Sequence, residues 1–112
     1  MFKPGALLLV PFPFTDLSSS KRRPVLALTT PDGYGDFIAL AVTSRSHHEL
    51  AIPLGIEDLD AGALPVASWI RIDRVVTLNV SLVIKSFAIV SKDALSAAQD
   101  ALCQFIGQQH PK

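Results

Sequence analysis

The amino-acid sequence predicts a mainly β fold, a small antiparallel barrel with a C-terminal α-helix, and three observations carry that prediction. Short apolar runs at 6–10, 25–30, 37–43, 49–54, 67–75 and 82–90 are separated by turn-rich connections, as the strands of a small barrel are. Beyond them the apolar period changes, and Leu95, Ala98, Leu102 and Phe105 recur at helical spacing. The chain has 112 residues, enough for one hydrophobic core and too few for a second, so residues 1–112 read as a single domain.

Each element has a local reason. Gly5 precedes Ala6-Leu7-Leu8-Leu9-Val10, a continuous apolar run ended by Pro11 and expected to be buried on both faces. Residues 11–21, with Pro11, Pro13, Asp16 and consecutive serines, are loop chemistry. Pro24 lacks a ladder donor and pushes Arg23 into an extended backbone, which sets Pro24 at the first residue of a strand and Arg23 at its mouth. The turn signal Pro31-Asp32-Gly33-Tyr34-Gly35-Asp36 makes 25–30 and 37–43 an antiparallel pair. Antiparallel geometry then brings Arg23 and Thr43 to the same open end. Whether they face each other depends on register, which the sequence leaves open. Residues 49–54 form a shorter strand, and 55–64 read as an irregular acidic connection before Pro65. Trp69, Ile70, Arg71 and Ile72 belong to an alternating, half-exposed strand, and 82–90 supplies the last strand, interrupted by Lys85 and Ser86. The helix is expected over about 92–106, with Ser91 as N-cap, Asp93 in the first turn and Gly107 placed to stop it. Residues 108–112 read as a frayed end.

Ten lysines plus arginines balance ten aspartates plus glutamates, so no global field draws the protein onto a polyanion. Any nucleic-acid site must be a local patch. Lys21, Arg22, Arg23, Arg45, Arg71 and Arg74 supply one, apart from the acidic Glu57, Asp58 and Asp60. The lone Cys103 excludes an intrachain disulfide, suits the cytoplasm, and reads from its place in the helical pattern as a small buried hydrophobe. No apolar run approaches the roughly 20 residues that span a bilayer. The start lacks a signal-peptide layout, because Pro11 and Pro13 break a short apolar stretch. A soluble cytoplasmic protein is expected. With one cysteine and no third ligand grouped beside His47 and His48, neither a metal nor another cofactor is expected.

The run Lys21-Arg22-Arg23-Pro24 opens one strand and Thr43-Ser44-Arg45 closes the next. Guanidinium groups beside hydroxyls can build a phosphate-handling pocket, because a planar fork of N–H donors matches phosphate oxygens bidentately. Lys21, Arg22 and Arg45 suit phosphate-backbone contacts, which are independent of sequence and weaken with salt. The plain alternative for each is a solvated charge. Thr43 and Ser44 alone are ordinary strand-end residues, and only their pairing with Arg23 raises them above that. Phe12 and Phe14 offer stacking faces for unpaired bases, each worth roughly 1–3 kcal/mol where stacking occurs. The competing role is to plug the end of the barrel, preferred for Phe12. Trp69 lines either a groove or a dimer interface. Asp16 either orders Arg22 or Arg23 or serves as a turn residue. His47 and His48 titrate near neutral pH, but neighbouring side chains point apart and no partner stands near them, so surface histidines without a role are the commoner case.

Taken in order, Pro11-Phe12-Pro13-Phe14-Thr15-Asp16, Lys21-Arg22-Arg23-Pro24, Thr43-Ser44-Arg45, Ser68-Trp69-Ile70-Arg71-Ile72-Asp73 and Thr77-Leu78 resemble the MazF/PemK family of toxins from bacterial toxin-antitoxin pairs, and the PemK-like branch more closely. The resemblance runs from Gly5 through the terminal helix. It implies an SH3-like barrel with a C-terminal helix, a homodimer, metal-independent and sequence-selective cleavage of single-stranded RNA, and inhibition by a cognate antitoxin. It also implies that Arg23, which precedes a proline, is the catalytic arginine, and that Thr43 binds phosphate with Ser44 as a second hydroxyl. The family's last strand commonly carries a glycine and a basic residue where this chain has Phe87-Ala88-Ile89, and His47-His48 is unusual. Both departures bear on sequence preference and helix packing and leave Arg23 and Thr43 untouched.

Such cleavage uses the 2′-hydroxyl of the substrate as nucleophile, so the enzyme supplies positioning and charge stabilisation rather than a covalent nucleophile. Arg23 would hold the non-bridging oxygens in the transition state while Thr43 and Ser44 hydrogen-bond the scissile phosphate. By the same resemblance the products are a 2′,3′-cyclic phosphate and a 5′-hydroxyl. Lys21, Arg22, Arg45, Phe14, Trp69 and Arg71 make up the expected RNA-binding set. Two other functions fit a barrel of this size: a non-enzymatic toxin similar to the CcdB proteins that act on DNA gyrase, and a plain RNA- or protein-binding SH3-like module. Neither requires Arg23-Pro24 or Thr43-Ser44.

Overall fold

In the computed structural model, which describes residues 2–13, 21–46 and 49–109, seven strands precede one helix. The strands are β1 (Ala6–Phe12), β2 (Lys21–Ala27), β3 (Asp36–Thr43), β4 (Ala51–Leu54), β5 (Leu59–Gly62), β6 (Ser68–Asn79) and β7 (Lys85–Val90), and the helix is α1 (Lys92–Gly107). They form one curled half-barrel, ordered β4-β6-β3-β2-β1-β7-β5, with every neighbouring pair antiparallel. The mainly β class and the terminal helix follow the expectation. Phe14, Asp16, His47 and His48 lie outside the described residues, and no described helix is long and apolar enough to cross a membrane.

Strand β1 sits between β2 and β7 with apolar side chains on both of its faces, which is why its sequence is unbroken by polar residues. Leu7 lies in one buried cluster with Leu26, Leu40, Val42, Ile70 and Ala98, over which α1 lays Leu95, Leu102 and Phe105. Leu8 and Val10 lie in a second cluster on the opposite face with Val25, Ala27, Phe37, Ala39 and Leu78. Phe2 closes that second cluster edge-on against Phe37, with ring centroids 4.8 Å apart.

Several boundaries depart from the sequence reading: β1 runs through Pro11 to Phe12, β2 ends at Ala27, β4 starts at Ala51 and β6 continues to Asn79. β2 starts at Lys21, so Pro24 is internal to the strand and paired with Leu9. The Leu28 N–H donates to the Ile38 carbonyl at 2.8 Å, so even-numbered residues of β2 direct their amides toward β3. The missing donor of Pro24 therefore falls on the β3 side, where the ladder ends at Val25↔Ala41, and the pairing with β1 is intact. Residues 55–64 are not irregular throughout: a 3₁₀ turn at Ile56–Asp58 leads into β5, which pairs with β7. Gly62 permits that pairing, since its φ is +83° and a Cβ there would stand 2.3 Å from the Phe87 carbonyl oxygen. Leu82 lies in a 3₁₀ turn at Val80–Leu82, and the last strand begins only at Lys85. Gly107 is the final helical residue rather than the stop, with Gln108 as a right-handed C-cap. The start of α1 matches its chemistry, because the Ser91 hydroxyl accepts the Ala94 N–H at 3.1 Å. Cys103 is exposed on α1, not a buried hydrophobe, because the helix turns that position away from the sheet.

Strand β6 carries an irregularity that shapes the site. Leu40 pairs with Val75 and Val42 with Ile70, so residues 71–74 of β6 stand against the single residue Ala41 of β3. A bulge of this kind bends a strand and re-aims its side chains. Upstream of the bend β6 pairs with both β3 and β4, and downstream with β3.

Candidate functional site

Register settles what the sequence left open. β2 and β3 pair as Val25↔Ala41, Leu26↔Leu40 and Ala27↔Ala39. Carried two residues further, that register sets Arg23 across from Thr43. Side chains alternate along a strand, so Arg23 shares the face of Val25 and Ala27, and Thr43 shares the face of Ala39 and Ala41. These are the same face of the sheet. Thr43 pairs on its other side with Trp69, Trp69 with Pro53, and Arg23 with Val10. Residues 10 and 23 on one side and 43, 69 and 53 on the other thus line up as a row on one face, joined across the end of the β2–β3 ladder, which closes at Val25↔Ala41; the row is apolar at both ends and polar in the middle.

The chemistry of that row is a set of donors. Arg23 is exposed, and among the described residues its guanidinium touches no carboxylate. Its Cζ lies 5.2 Å from the centroid of the Phe12 ring, and one terminal nitrogen makes a long 3.4 Å contact with the Arg22 carbonyl oxygen. Thr43 is half-buried, and its hydroxyl oxygen accepts the Arg45 N–H at 3.1 Å. That turn fixes the oxygen while leaving the O–H proton to donate. Ser44 is exposed in the bend beyond Thr43, and Arg45 is exposed beside it.

The structure sorts the other candidates by face. Lys21 pairs with Phe12, two residues along β2 from Arg23, and shares its face. Arg22 pairs with Pro11 and points to the opposite face, so it is not part of the row. Trp69 is half-buried on the face of Thr43. Arg71 shares that face, but its guanidinium is occupied: Nε donates to Asp73 Oδ1 at 3.2 Å and a terminal nitrogen to Asp73 Oδ2 at 2.8 Å. Those hydrogen bonds hold the Asp73 carboxyl below its ordinary value, partial burial opposing them and the Arg71 charge assisting. Because the folded value is the lower one, the pair contributes at pH above the unfolded carboxylate value and is lost as pH falls through the folded one. Phe12 is 39% exposed, so it lies at the surface beside Arg23 and does not plug the barrel. Its partnership with Arg23 depends on the strand register, whereas Asp73 quenches Arg71 from two residues along the same strand.

Residues 3–106 match the family described as PemK-like, MazF-like toxin of type II toxin-antitoxin system. Sequence comparison with curated proteins finds no match. Among solved structures, the fold is similar to the MazE-MazF crystal structure (Form-II) from Deinococcus radiodurans, at 23% identity and a TM-score of 0.72, covering 96% of this chain and 97% of that one. It is also similar to a mycobacterial endoribonuclease in complex with its cognate antitoxin, at 17% identity and a TM-score of 0.71, covering 98% of this chain and 97% of that one. A third is the Mycobacterium tuberculosis toxin MazF-mt6, at 15% identity and a TM-score of 0.68, covering 94% of this chain and 99% of that one. At such identities the structural likeness concerns the fold alone. The family match spans nearly the whole sequence and carries the assignment: this chain belongs to the PemK-like, MazF-like toxins of type II toxin-antitoxin systems.

Proposed function

We propose that this chain is a metal-independent, sequence-selective endoribonuclease that cleaves single-stranded RNA. One observation carries the proposal: β2 and β3 bring to one face of the sheet a guanidinium that touches no carboxylate among the described residues and a hydroxyl oriented by its turn. In the reaction the 2′-oxygen loses its proton and bonds to phosphorus while the bond from phosphorus to the 5′-oxygen breaks, and that oxygen takes up a proton. The ends are a 2′,3′-cyclic phosphate and a 5′-hydroxyl. Charge grows on the non-bridging oxygens, where Arg23 donates from its fork and Thr43, with Ser44, from its hydroxyl. Lys21 and Arg45 hold neighbouring phosphates, Arg22 reaches the backbone from beyond the row, and Trp69 and Phe14 stack bases.

Residues 1–112 work as one toxin domain in the cytoplasm, as a homodimer, neutralised by a cognate antitoxin. Family membership supports the antitoxin, as do similar structures solved as a MazE-MazF pair and as an endoribonuclease with its cognate antitoxin. A gyrase-directed toxin or a plain binding module would have no use for the pairing of Arg23 with Thr43. The test is purified protein with a long single-stranded RNA in EDTA, with the new ends mapped. Discrete cuts bearing cyclic phosphates are expected. RNA that stays whole over a range of salt and temperature refutes the nuclease, and gyrase-dependent DNA breaks in its place support the CcdB-like alternative.

The Arg71–Asp73 pair yields a second expectation. Asp73→Asn releases Arg71 from its carboxylate and frees a cation on the row's face for phosphate. RNA affinity at low salt should rise, and the plot of log affinity against log salt should steepen by roughly 0.7, the increment for one further phosphate contact on a single strand. An unchanged slope would place Arg71 outside the RNA path.

A further inference from the structure

Two arginines share this sheet face and are held in opposite ways. Arg71 donates twice to Asp73 and is neutralised. Arg23 instead has its Cζ 5.2 Å from the Phe12 ring centroid, and among the described residues it meets no carboxylate. The β1–β2 register explains the contact. Val10 pairs with Arg23 and Phe12 with Lys21, so Phe12 is the diagonal neighbour of Arg23 on the same face, a distance that aromatic and long side chains bridge.

The difference matters chemically. A carboxylate partner fixes an arginine by using its N–H donors and cancelling its charge. An aromatic ring attracts the cation through its quadrupole and consumes no donor. An unsupported arginine would lose considerable rotamer freedom on closing over a phosphate, and a ring that already confines it removes part of that cost.

We propose that Phe12 is the positioning residue for Arg23: its ring, on the β1 side of β2, confines the guanidinium on the face of the sheet that also carries Thr43 while leaving the donor fork available to the scissile phosphate. The proposal rests on the reading of Arg23 as the group that holds that phosphate. Phe12 touches no reacting atom in this role and acts through Arg23 alone.

The test separates cleavage rate from RNA affinity in single-turnover assays with one defined RNA oligonucleotide. Phe12→Leu should lower the rate at saturating RNA about two- to fivefold, the factor expected of one exposed cation–π contact, with affinity unchanged. Phe12→Trp should restore the rate, because indole is the strongest ring partner for a cation. In an Arg23→Ala background Phe12→Leu should cost nothing further. Melting curves of the variants guard against misfolding, and the tryptophan variant keeps the test decisive if the leucine variant is unstable. An affinity loss at unchanged rate, or an equal loss in the Arg23→Ala background, overturns the proposal by making Phe12 a base-stacking or purely structural residue. If Arg23→Ala abolishes cleavage and Phe12→Leu changes nothing, the positioning role alone falls. If Arg23→Ala cleaves like the wild type, the catalytic reading of Arg23 falls and this proposal with it.

Discussion

Arg23→Ala is expected to slow RNA cleavage about 10²–10³-fold, the usual consequence of removing one preorganised donor from the position where charge develops. The expectation depends on the guanidinium being both available and fixed. It is available because no described carboxylate touches it, and fixed because the Phe12 ring and the extended backbone before Pro24 limit where it can go. Arg23→Lys should recover only a small part of the loss, since an ammonium keeps the charge without the planar fork that spans two phosphate oxygens. Stability should barely move in either variant, because the side chain is exposed and substitutions at such positions usually stay within about 0.5 kcal/mol. Single-turnover cleavage at fixed salt, read beside thermal melts, distinguishes the outcomes. An Arg23→Ala protein that cuts within about threefold of the wild type would move the active centre elsewhere on the molecule.

Much of this arrangement was legible in the sequence because the signals were local. The unbroken run at 6–10 announced a strand covered on both faces, and Leu7 and Leu8 do enter separate clusters on opposite sides of the sheet. The turn at 31–36 fixed the β2–β3 hairpin, and its Asp32 carboxylate accepts the Tyr34 and Asp36 amides as a turn aspartate does. What stayed hidden was non-local. β5 is four residues long, has an exposed aspartate within it, and exists because β7 offers it an edge and Gly62 allows close approach. Pro24 looked like a strand's first residue because the sequence does not say which neighbour loses the hydrogen bond. In the site, the shared end of Arg23 and Thr43 followed from antiparallel order, whereas their shared face needed the register. The pairing of Arg71 with Asp73 follows the period of a strand, since residues two apart share a face, whereas the bend in β6 beside it is recorded by no periodicity.

Leu26→Ala tests the scaffold rather than the chemistry and carries the largest expected stability change. Leu26 and Leu40 stand opposite each other on β2 and β3, both fully buried, in the cluster that Ala98 of α1 closes from above. Truncating a leucine in such a place removes its transfer free energy and leaves a cavity that packed neighbours only partly fill, about 2–5 kcal/mol in all. A domain of this size has roughly 5–15 kcal/mol to lose, so the variant should unfold at a markedly lower urea concentration with the slope of the transition unchanged. Val75→Ala is the matched control. Val75 pairs with Leu40 from the other side, on β6, yet is 46% exposed, and its truncation should cost less than about 1 kcal/mol. The same two strands hold Arg23 and Thr43 in register, so Leu26→Ala should also cut the cleavage rate under conditions where the protein is still fully folded, because small displacements of positioned groups are costly in catalysis. Equal stability losses in the two variants would mean that the core does not lie under α1, and the row of residues on the opposite face of the sheet would lose its foundation.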